Sequence, residues 1–342
     1  MTEAILGKTG LKVNKEAFGA LPIQRTDKET AVKILRKALD NGINFYDTAR
    51  SYTDSEEKLG LAFAGRRGEF ILATKTPSKD GKAMKRDLET SLEKLKTTYI
   101  DIYQFHNPSV LPRPGDGSGL YEAALEAKKQ GKIRFIGISN HRLPLAKEIV
   151  ESDLYDTLQF PFSYLSSEEE ISLVQRCAEK NVGFIAMKAL SGGLITDIFA
   201  ARAWMAQFSN VIPIWGIQRE KELDELLAAM KNPGPLSPKE NGQIAKDQEE
   251  LGGEFCRGCG YCLPCPAEIQ INLAARINLL MKRSPAARWF SEDGQKEMAK
   301  IEKCQDCGGC VSRCPYNLDV QALLKKNYRN YREDISILQD RA

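Results

Sequence analysis

At 342 residues the chain is too long for one small domain and suits a single large domain of barrel size with a small appendix. Its 49 basic and 46 acidic residues leave a net charge of +3, which gives no electrostatic reason to bind nucleic acid or an anionic membrane. The opening "MTEAILGKTG" has no cationic segment followed by an apolar run, and no stretch of about 18 apolar residues occurs, so a soluble, cytoplasmic protein is expected.

Short apolar runs alternate with helical segments from the N-terminus onward. "EAFGAL" precedes "KETAVKILRKALDNG"; "INFYD" precedes "SEEKLGLAFAG"; "EFILATK" precedes "MKRDLETSLEKLK"; "IDIYQFH" precedes "LYEAALEAKKQGK". The pattern continues with "IRFIGIS" and "LPLAKEIVES", "DTLQF" and "EEEISLVQRCAEKN", "VGFIAMK" and "TDIFAARAWMAQFS", and "VIPIW" and "REKELDELLAAMKN". Amphipathic helices between apolar strands mean parallel pairing through helical crossovers, and eight such units close into a (β/α)8 TIM barrel of the α/β class. The alternative, a doubly wound sheet, lacks its G-x-G-x-x-G turn after the first strand.

"NPGPLSPKENG" (Asn232 to Gly242) gathers the residues of a linker, so the barrel is assigned to residues 1–232 and a linker with a connecting helix to 233–253. Residues 254–342 form the appendix. In it "IQINLAARINLLMKR" and "SEDGQKEMAKIEK" predict helices, giving a small, mostly helical domain. "TDSEE" predicts a capping box, with Asp54 as N-cap and Glu57 at the third helical position.

Eight of the nine cysteines lie in "CRGCGYCLPCP" and "CQDCGGCVSRCP". The second run has the C-x2-C-x2-C-x3-C-P spacing of a bacterial ferredoxin, and the first is one residue shorter before its last cysteine. Three thiolates within seven residues suit three corners of a cubane, whereas structural zinc more often joins two separated C-x2-C arms. Two 4Fe-4S clusters are therefore expected on Cys256, Cys259, Cys262, Cys265, Cys304, Cys307, Cys310 and Cys314. The ninth, Cys177, sits in a crossover helix and reads as a buried apolar residue.

Reactive residues of such barrels sit at the C-terminal ends of strands. There the second strand carries Asp47, with Tyr52 five residues on; the third carries Lys75 and the fourth His106. Singly, each has a structural explanation as a cap, a packed ring or a solvent-facing ammonium. Together, in this order and with "LGKTGLKV", "ALDNGINFYDTA", "SEEKLG" and "GISN", they make roughly residues 5 to 230 resemble the aldo-keto reductases.

That resemblance implies carbonyl reduction with Tyr52 as proton donor, Lys75 lowering the phenol's pKa, Asp47 holding Lys75, and His106 polarising the carbonyl. It also implies a nicotinamide cofactor, NADP(H) or NAD(H). Ser139, Asn140 and Gln159 would hold its carboxamide, and Met187 stands where a stacking aromatic is usual. Ser191, Gly192 and Gly193 of "LSGGL" would offer N–H groups to the pyrophosphate. Glu225 would contact adenine and Arg219 the 2′-phosphate, with Glu222 close to where an arginine is common. His141 is expected to be a loop or surface residue.

The C-terminal region resembles a two-cluster ferredoxin module. In such modules the last cysteine of each run serves the other run's cluster, which assigns Cys314 to the first cluster and Cys265 to the second. The partners implied are a small carbonyl or alcohol substrate and a one-electron redox protein, with no nucleic acid and no membrane. A redox-sensing or regulatory nicotinamide-binding subunit is the alternative reading. As the residues that donate the proton and seat the nicotinamide all precede Asn232, hydride transfer is expected not to require the clusters.

Overall fold

The computed structural model describes residues 3–231, 234–251, 255–283 and 287–339. The expected domain boundaries at 232/233 and 253/254 lie outside the described residues. The chain opens with β1 (Glu3–Ile5) and β2 (Lys12–Asn14), an antiparallel hairpin that the alternation of apolar runs does not reveal. Strands of three residues are too short to show a period.

The next eight strands are β3 (Ala17–Gly19), β4 (Phe45–Asp47), β5 (Ile71–Thr76), β6 (Ile100–His106), β7 (Ile133–Ser139), β8 (Thr157–Pro161), β9 (Gly183–Met187) and β10 (Val211–Gly216). They form a closed barrel in chain order, sealed where β10 runs parallel to β3 with Ile214 opposite Ala17 and Trp215 opposite Phe18. The (β/α)8 barrel expected from the alternation is the observed fold. Leu6, Leu11 and Val13 of the hairpin segment pack with Ala17, Phe45, Ala73, Ile102, Ile185 and Ile212, filling the barrel interior with apolar side chains.

The crossover helices are α1 (Lys28–Asp40), α2 (Ser55–Ala62), α3 (Gly81–Leu95), α4 (Leu120–Lys129), α5 (Leu143–Glu151), α6 (Glu168–Glu179), α7 (Ile198–Met205) and α8 (Glu220–Lys231). Helix α1 buries Ala31, Ile34, Leu35, Ala38 and Leu39, the i, i+3, i+4 stripe expected of a helix on a sheet, and Asp27 caps it through the Thr30 N–H. Helix α6 begins with a capping box of Ser167 and Glu170. The box expected at Asp54 does not form. Asp54 occupies the N-cap position of α2, but its carboxylate is taken by the buried Lys58 ammonium at 2.9 Å, and Glu57 pairs with Lys28 instead.

The chain divides into two compact units, Met1–Ala189 with Asp197–Ile244, and Leu190–Thr196 with Ala245–Ala342. The division follows contacts rather than chain order: seven residues after β9 join the C-terminal unit. Helix α9 (Pro238–Leu251) precedes the first cysteine run. The C-terminal unit then contains α10 (Ile271–Ala274), α11 (Ile277–Arg283), α12 (Ala287–Phe290), α13 (Glu292–Ala299), α14 (Gly309–Ser312) and α15 (Val320–Gln339). The single helix expected over "IQINLAARINLLMKR" is thus broken, at Ala275 and Arg276. Its core joins Ile269, Ile271, Ile277, Met298, Ile301, Leu318, Leu324 and Tyr331 to Cys262 and Cys310. Among the described residues no helix is long and apolar enough to cross a membrane.

Candidate active site

Strand β4 delivers Asp47 to the C-terminal end of the barrel, and β5 delivers Lys75 two places along the neighbouring strand from Ala73, the residue opposite Asp47. The two charges meet inside the barrel. Lys75 Nζ donates to Asp47 Oδ2 at 2.7 Å and to the Thr48 carbonyl at 2.7 Å, with both side chains buried. Burial pushes the Asp47 pKa up and the Lys75 pKa down, and each partner's charge opposes the shift of the other. Asp47 also accepts from Gln104 Nε2 at 3.1 Å and from Gln159 Nε2 at 3.4 Å, so this buried carboxylate is held by three side chains.

Gln104 has no place in the sequence expectations. It lies two residues before His106 on β6, so the period-two alternation of a strand puts it on the same face as His106, a signal available to sequence reasoning. Gln104→Leu is expected to leave Asp47 Oδ1 without its donor and to cost about 1–3 kcal/mol of stability, visible as a lowered thermal midpoint with reduced turnover. An unchanged midpoint would mean that Gln104 does not support the carboxylate.

After β4 the chain stays beside β5, as Thr48 N–H donates to the Ala73 carbonyl and Arg50 N–H to that of Lys75. It then turns at Thr53, whose φ is 35°, into α2. This path carries Tyr52 back over the ion pair. Lys75 Nζ lies 5.0 Å from the Tyr52 ring centroid, and the Tyr52 and His106 rings meet edge to face at 5.8 Å. Ser51 Oγ sits 3.2 Å from His106 Nδ1, which orients the imidazole. The four residues chosen from strand ends therefore come together in one place.

Their electrostatics correct one expectation. Burial, and after it the Asp47 charge, push the Tyr52 phenol pKa well above the usual phenol range, so the net shift runs opposite to the one expected. Both causes act in the same direction, disfavouring the phenolate. Burial, and secondarily Lys75, lower the His106 pKa to about 3. Around neutral pH the site thus holds a protonated phenol beside a neutral imidazole. Because neither group changes charge in the range, the rate of the chemical step is expected to stay flat between about pH 5 and pH 9 in single-turnover measurements. A titration near pH 6.5 would contradict this protonation state.

Ser139 ends β7 directly opposite Gln159 of β8, and the Asn140 N–H donates to the Gln159 carbonyl at 3.0 Å. Ser139 and Gln159 are buried side by side, and Gln159 Oε1 has no hydrogen-bond partner among the described residues. A buried acceptor in that condition suits an amide N–H from a ligand. The Asn140 side chain, by contrast, is engaged within the protein, donating to the Pro108 carbonyl and accepting from the Arg142 N–H. His141 is 5% exposed, a buried loop residue rather than a surface one. Met187 ends β9 and is partly buried against the barrel core.

A sequence profile described as the Aldo/keto reductase family matches residues 15–200, more than half of the 342-residue chain. The chain belongs to the aldo/keto reductase family. A second profile, a 4Fe-4S dicluster domain, matches residues 255–319. Relatives include the uncharacterized oxidoreductase YqkF of Bacillus subtilis, 29% identical over 84% of this chain and 91% of its own length. Methylglyoxal reductase DkgB of Salmonella typhi is 38% identical over 62% of this chain and 86% of its length. Among solved structures, an aldo/keto reductase from Klebsiella pneumoniae in complex with NADP and acetate aligns at TM-score 0.61 and 24% identity, over 72% of this chain and 95% of that one.

The remaining residues assigned to the cofactor of this aldo/keto reductase are dispersed. Ser191, Gly192 and Gly193 have φ values of 47°, 66° and 90°, a left-handed run that glycine adopts freely and serine does not. The Gly193 N–H is already bonded to the Leu190 carbonyl, so this loop is an internally closed turn. Arg219 is mostly exposed and pairs with Glu222 at 2.6 Å. The Glu222 carboxylate also accepts the Gln218 and Arg219 N–H groups at 2.9 and 3.1 Å, so it caps the start of α8. Glu225 is half exposed, 3.9 Å from Lys221.

In the C-terminal unit the two cysteine runs interleave. A small pocket is lined by Cys304, Cys307 and Cys310 of the second run and by Cys265, the last cysteine of the first. The Cys256 sulfur lies within electrostatic reach of Cys259 and of Cys314, the last cysteine of the second run. Among the described residues no three Cys, His, Asp or Glu side chains converge closely enough for a single ion. A thiol-lined pocket suits an iron–sulfur cluster, the kind of group that the matching 4Fe-4S dicluster profile describes. Cys177 is fully buried, with its thiol pKa pushed up to about 12 by burial, as its place in a crossover helix implies.

Proposed function

We propose that this aldo/keto reductase reduces an aldehyde or ketone with NADPH or NADH, Tyr52 supplying the proton. The buried Asp47–Lys75 pair beside Tyr52 and His106 carries this reading. The nicotinamide, when bound, supplies the hydride. Ser139 and Gln159 would hold its carboxamide, Gln159 Oε1 accepting an amide N–H that it otherwise lacks. His106, neutral and oriented by Ser51, donates a ring N–H to the carbonyl oxygen and draws electron density toward it. As that oxygen becomes an alkoxide it is a stronger base than the phenolate, and the Tyr52 proton moves to it. Lys75 then faces a phenolate and stabilises the charge that has appeared.

Methylglyoxal reductase DkgB and a Klebsiella aldo/keto reductase solved with NADP support small carbonyls and NADP(H) as the first compounds to try. The test is NADPH oxidation by the anaerobic holoprotein against a panel of aldehydes and ketones. Tight NADPH binding with no turnover on any of them would favour the regulatory alternative instead.

In the C-terminal unit, the cavity and the sulfur proximities support two cross-ligated clusters, one on Cys256, Cys259, Cys262 and Cys314, the other on Cys304, Cys307, Cys310 and Cys265. A one-electron protein partner is the exchange they would serve. At the adenosine end, Glu222 would repel a 2′-phosphate. Glu222→Arg is expected to raise the ratio of NADPH to NADH affinity, while loss of the α8 cap lowers stability by about 1 kcal/mol. Titration of both nucleotides reads the ratio, and an unmoved ratio would place the phosphate elsewhere.

A further inference from the structure

Lys75 faces the barrel interior, so the alternation of β5 turns its neighbours Thr74 and Thr76 outward, toward the helices. Both meet carboxylates there. Thr74 Oγ1 donates to Glu56 Oε1 of α2 at 2.8 Å, and Thr76 Oγ1 donates to Asp87 Oδ2 of α3 at 2.5 Å. Glu56 is 1% exposed, and its second oxygen, Oε2, pairs with the Arg50 guanidinium. Arg50 lies in the short stretch between Asp47 and Tyr52, and its backbone N–H donates to the Lys75 carbonyl at 2.9 Å. Beyond it the stretch is tightly wound. The Tyr52 N–H donates to the Ala49 carbonyl at 3.0 Å and the Ser55 N–H to the Tyr52 carbonyl at 2.8 Å, while Thr53 takes a φ of 35° that strains a β-branched residue. One buried carboxylate therefore grips the strand of Lys75 with one oxygen and the loop of Tyr52 with the other.

We infer that Glu56 is a positioning residue that, through Arg50 and Thr74, sets how the Tyr52 phenol stands over Lys75. The inference rests on the reading of Tyr52 as proton donor. Proton transfer needs the phenol oxygen within hydrogen-bond reach of the developing alkoxide, and a misplacement of about 1 Å costs on the order of 100-fold in rate. The ring contacts of Tyr52, with Lys75 at 5.0 Å and His106 at 5.8 Å between centres, are weakly directional. Its place is therefore fixed through the backbone, and Arg50, two residues earlier, carries the side chain that anchors that backbone. An apolar residue would pack α2 against the barrel wall at lower desolvation cost, but only a group with two acceptor oxygens ties strand and loop together. Glu56 acts from the outer side of the wall. Its removal reaches the proton donor and spares the dinucleotide, because the assigned carboxamide contacts Ser139 and Gln159 stand on β7 and β8.

The test uses anaerobic, fully loaded protein. Single-turnover reduction of a reactive aldehyde and NADPH affinity by fluorescence titration are measured in wild type, Tyr52→Phe, Glu56→Gln, Arg50→Met and Arg50→Lys. Glu56→Gln and Arg50→Met are expected to lower the rate about tenfold or more, with NADPH affinity within about twofold of wild type. The solvent deuterium isotope effect on that rate is expected to rise, as proton transfer becomes the slower event. Arg50→Lys should restore part of the rate, and the double variant Glu56→Gln with Arg50→Met should be no slower than the slower single one, since both act through one contact. A wild-type rate in Glu56→Gln beside a slow Tyr52→Phe refutes the positioning role and leaves the proton donor standing. A wild-type rate in Tyr52→Phe removes the proton donor and this inference with it. NADPH affinity that falls as far as the rate shows general support of the barrel and also refutes the inference. Where Glu56→Gln fails to fold, Thr74→Val decides by the same two measurements: it keeps the side-chain shape and the Arg50–Glu56 pair, and a rate loss of about threefold or more is expected.

Discussion

Tyr52→Phe lowers the rate of carbonyl reduction by roughly 100-fold or more while NADPH binding changes little, because only the proton donor is removed. The geometry makes this variant informative. The ring that contacts Lys75 and His106 is retained, so the buried Asp47–Lys75 pair keeps its surroundings. Lys75→Met is expected to abolish activity too, but for a compound reason. It removes the cation that stabilises the phenolate, and it leaves Asp47 as a buried charge with amide donors only, at a cost of about 3–5 kcal/mol. The two variants separate in a thermal melt: Tyr52→Phe keeps the wild-type midpoint, and Lys75→Met loses many degrees. Single-turnover rates with a reactive aldehyde measure the chemistry. Wild-type turnover in Tyr52→Phe would remove this residue from the mechanism.

Stripping iron and sulfide from the C-terminal unit is expected to unfold it. Its core is assembled around its cysteines, with Cys262 and Cys310 buried among Ile269, Ile271, Ile277, Met298 and Leu324. Burial pushes the Cys262 thiol pKa up to about 12 and raises that of Cys310, so without metal these positions hold neutral thiols that tie nothing together. The helices near them are short. Helices α10, α12 and α14 have four residues each, far below the length at which a helix persists in water by itself. A unit so small and so dependent on cross-links draws its folding free energy from the metal.

Hydrogen exchange by peptide reads this directly. After anaerobic chelation, peptides from 269–331 are expected to lose protection, whereas barrel peptides such as 100–106 retain it. Full protection of α15 in the apoprotein would show that the apolar core suffices. Replacing Cys265 with alanine is expected to damage the cluster of the second run, since Cys265 lines the cavity with Cys304, Cys307 and Cys310. Iron counts and spectra of that variant would identify which cluster is lost.

The barrel and its catalytic group were legible in the chain because both are written in short-range patterns. The alternation of strand and helix is a local period, and strand ends mark where Asp47, Lys75 and His106 must emerge. The spacing of the cysteines, likewise, places the first three cysteines of each run within seven residues. What the chain order did not contain depends on groups distant in sequence. Gln104 reaches Asp47 across 57 positions, and Arg276 reaches Gly192 across 84. The allegiance of Leu190–Thr196 to the C-terminal unit follows from such contacts, which no periodicity records. The Tyr52 pKa is the clearest case. Its residue type and its neighbours Lys75 and Asp47 were evident, yet the direction of the shift is set first by burial and then by the Asp47 charge. Desolvation depends on everything packed around a group, and that is settled only when the chain has folded.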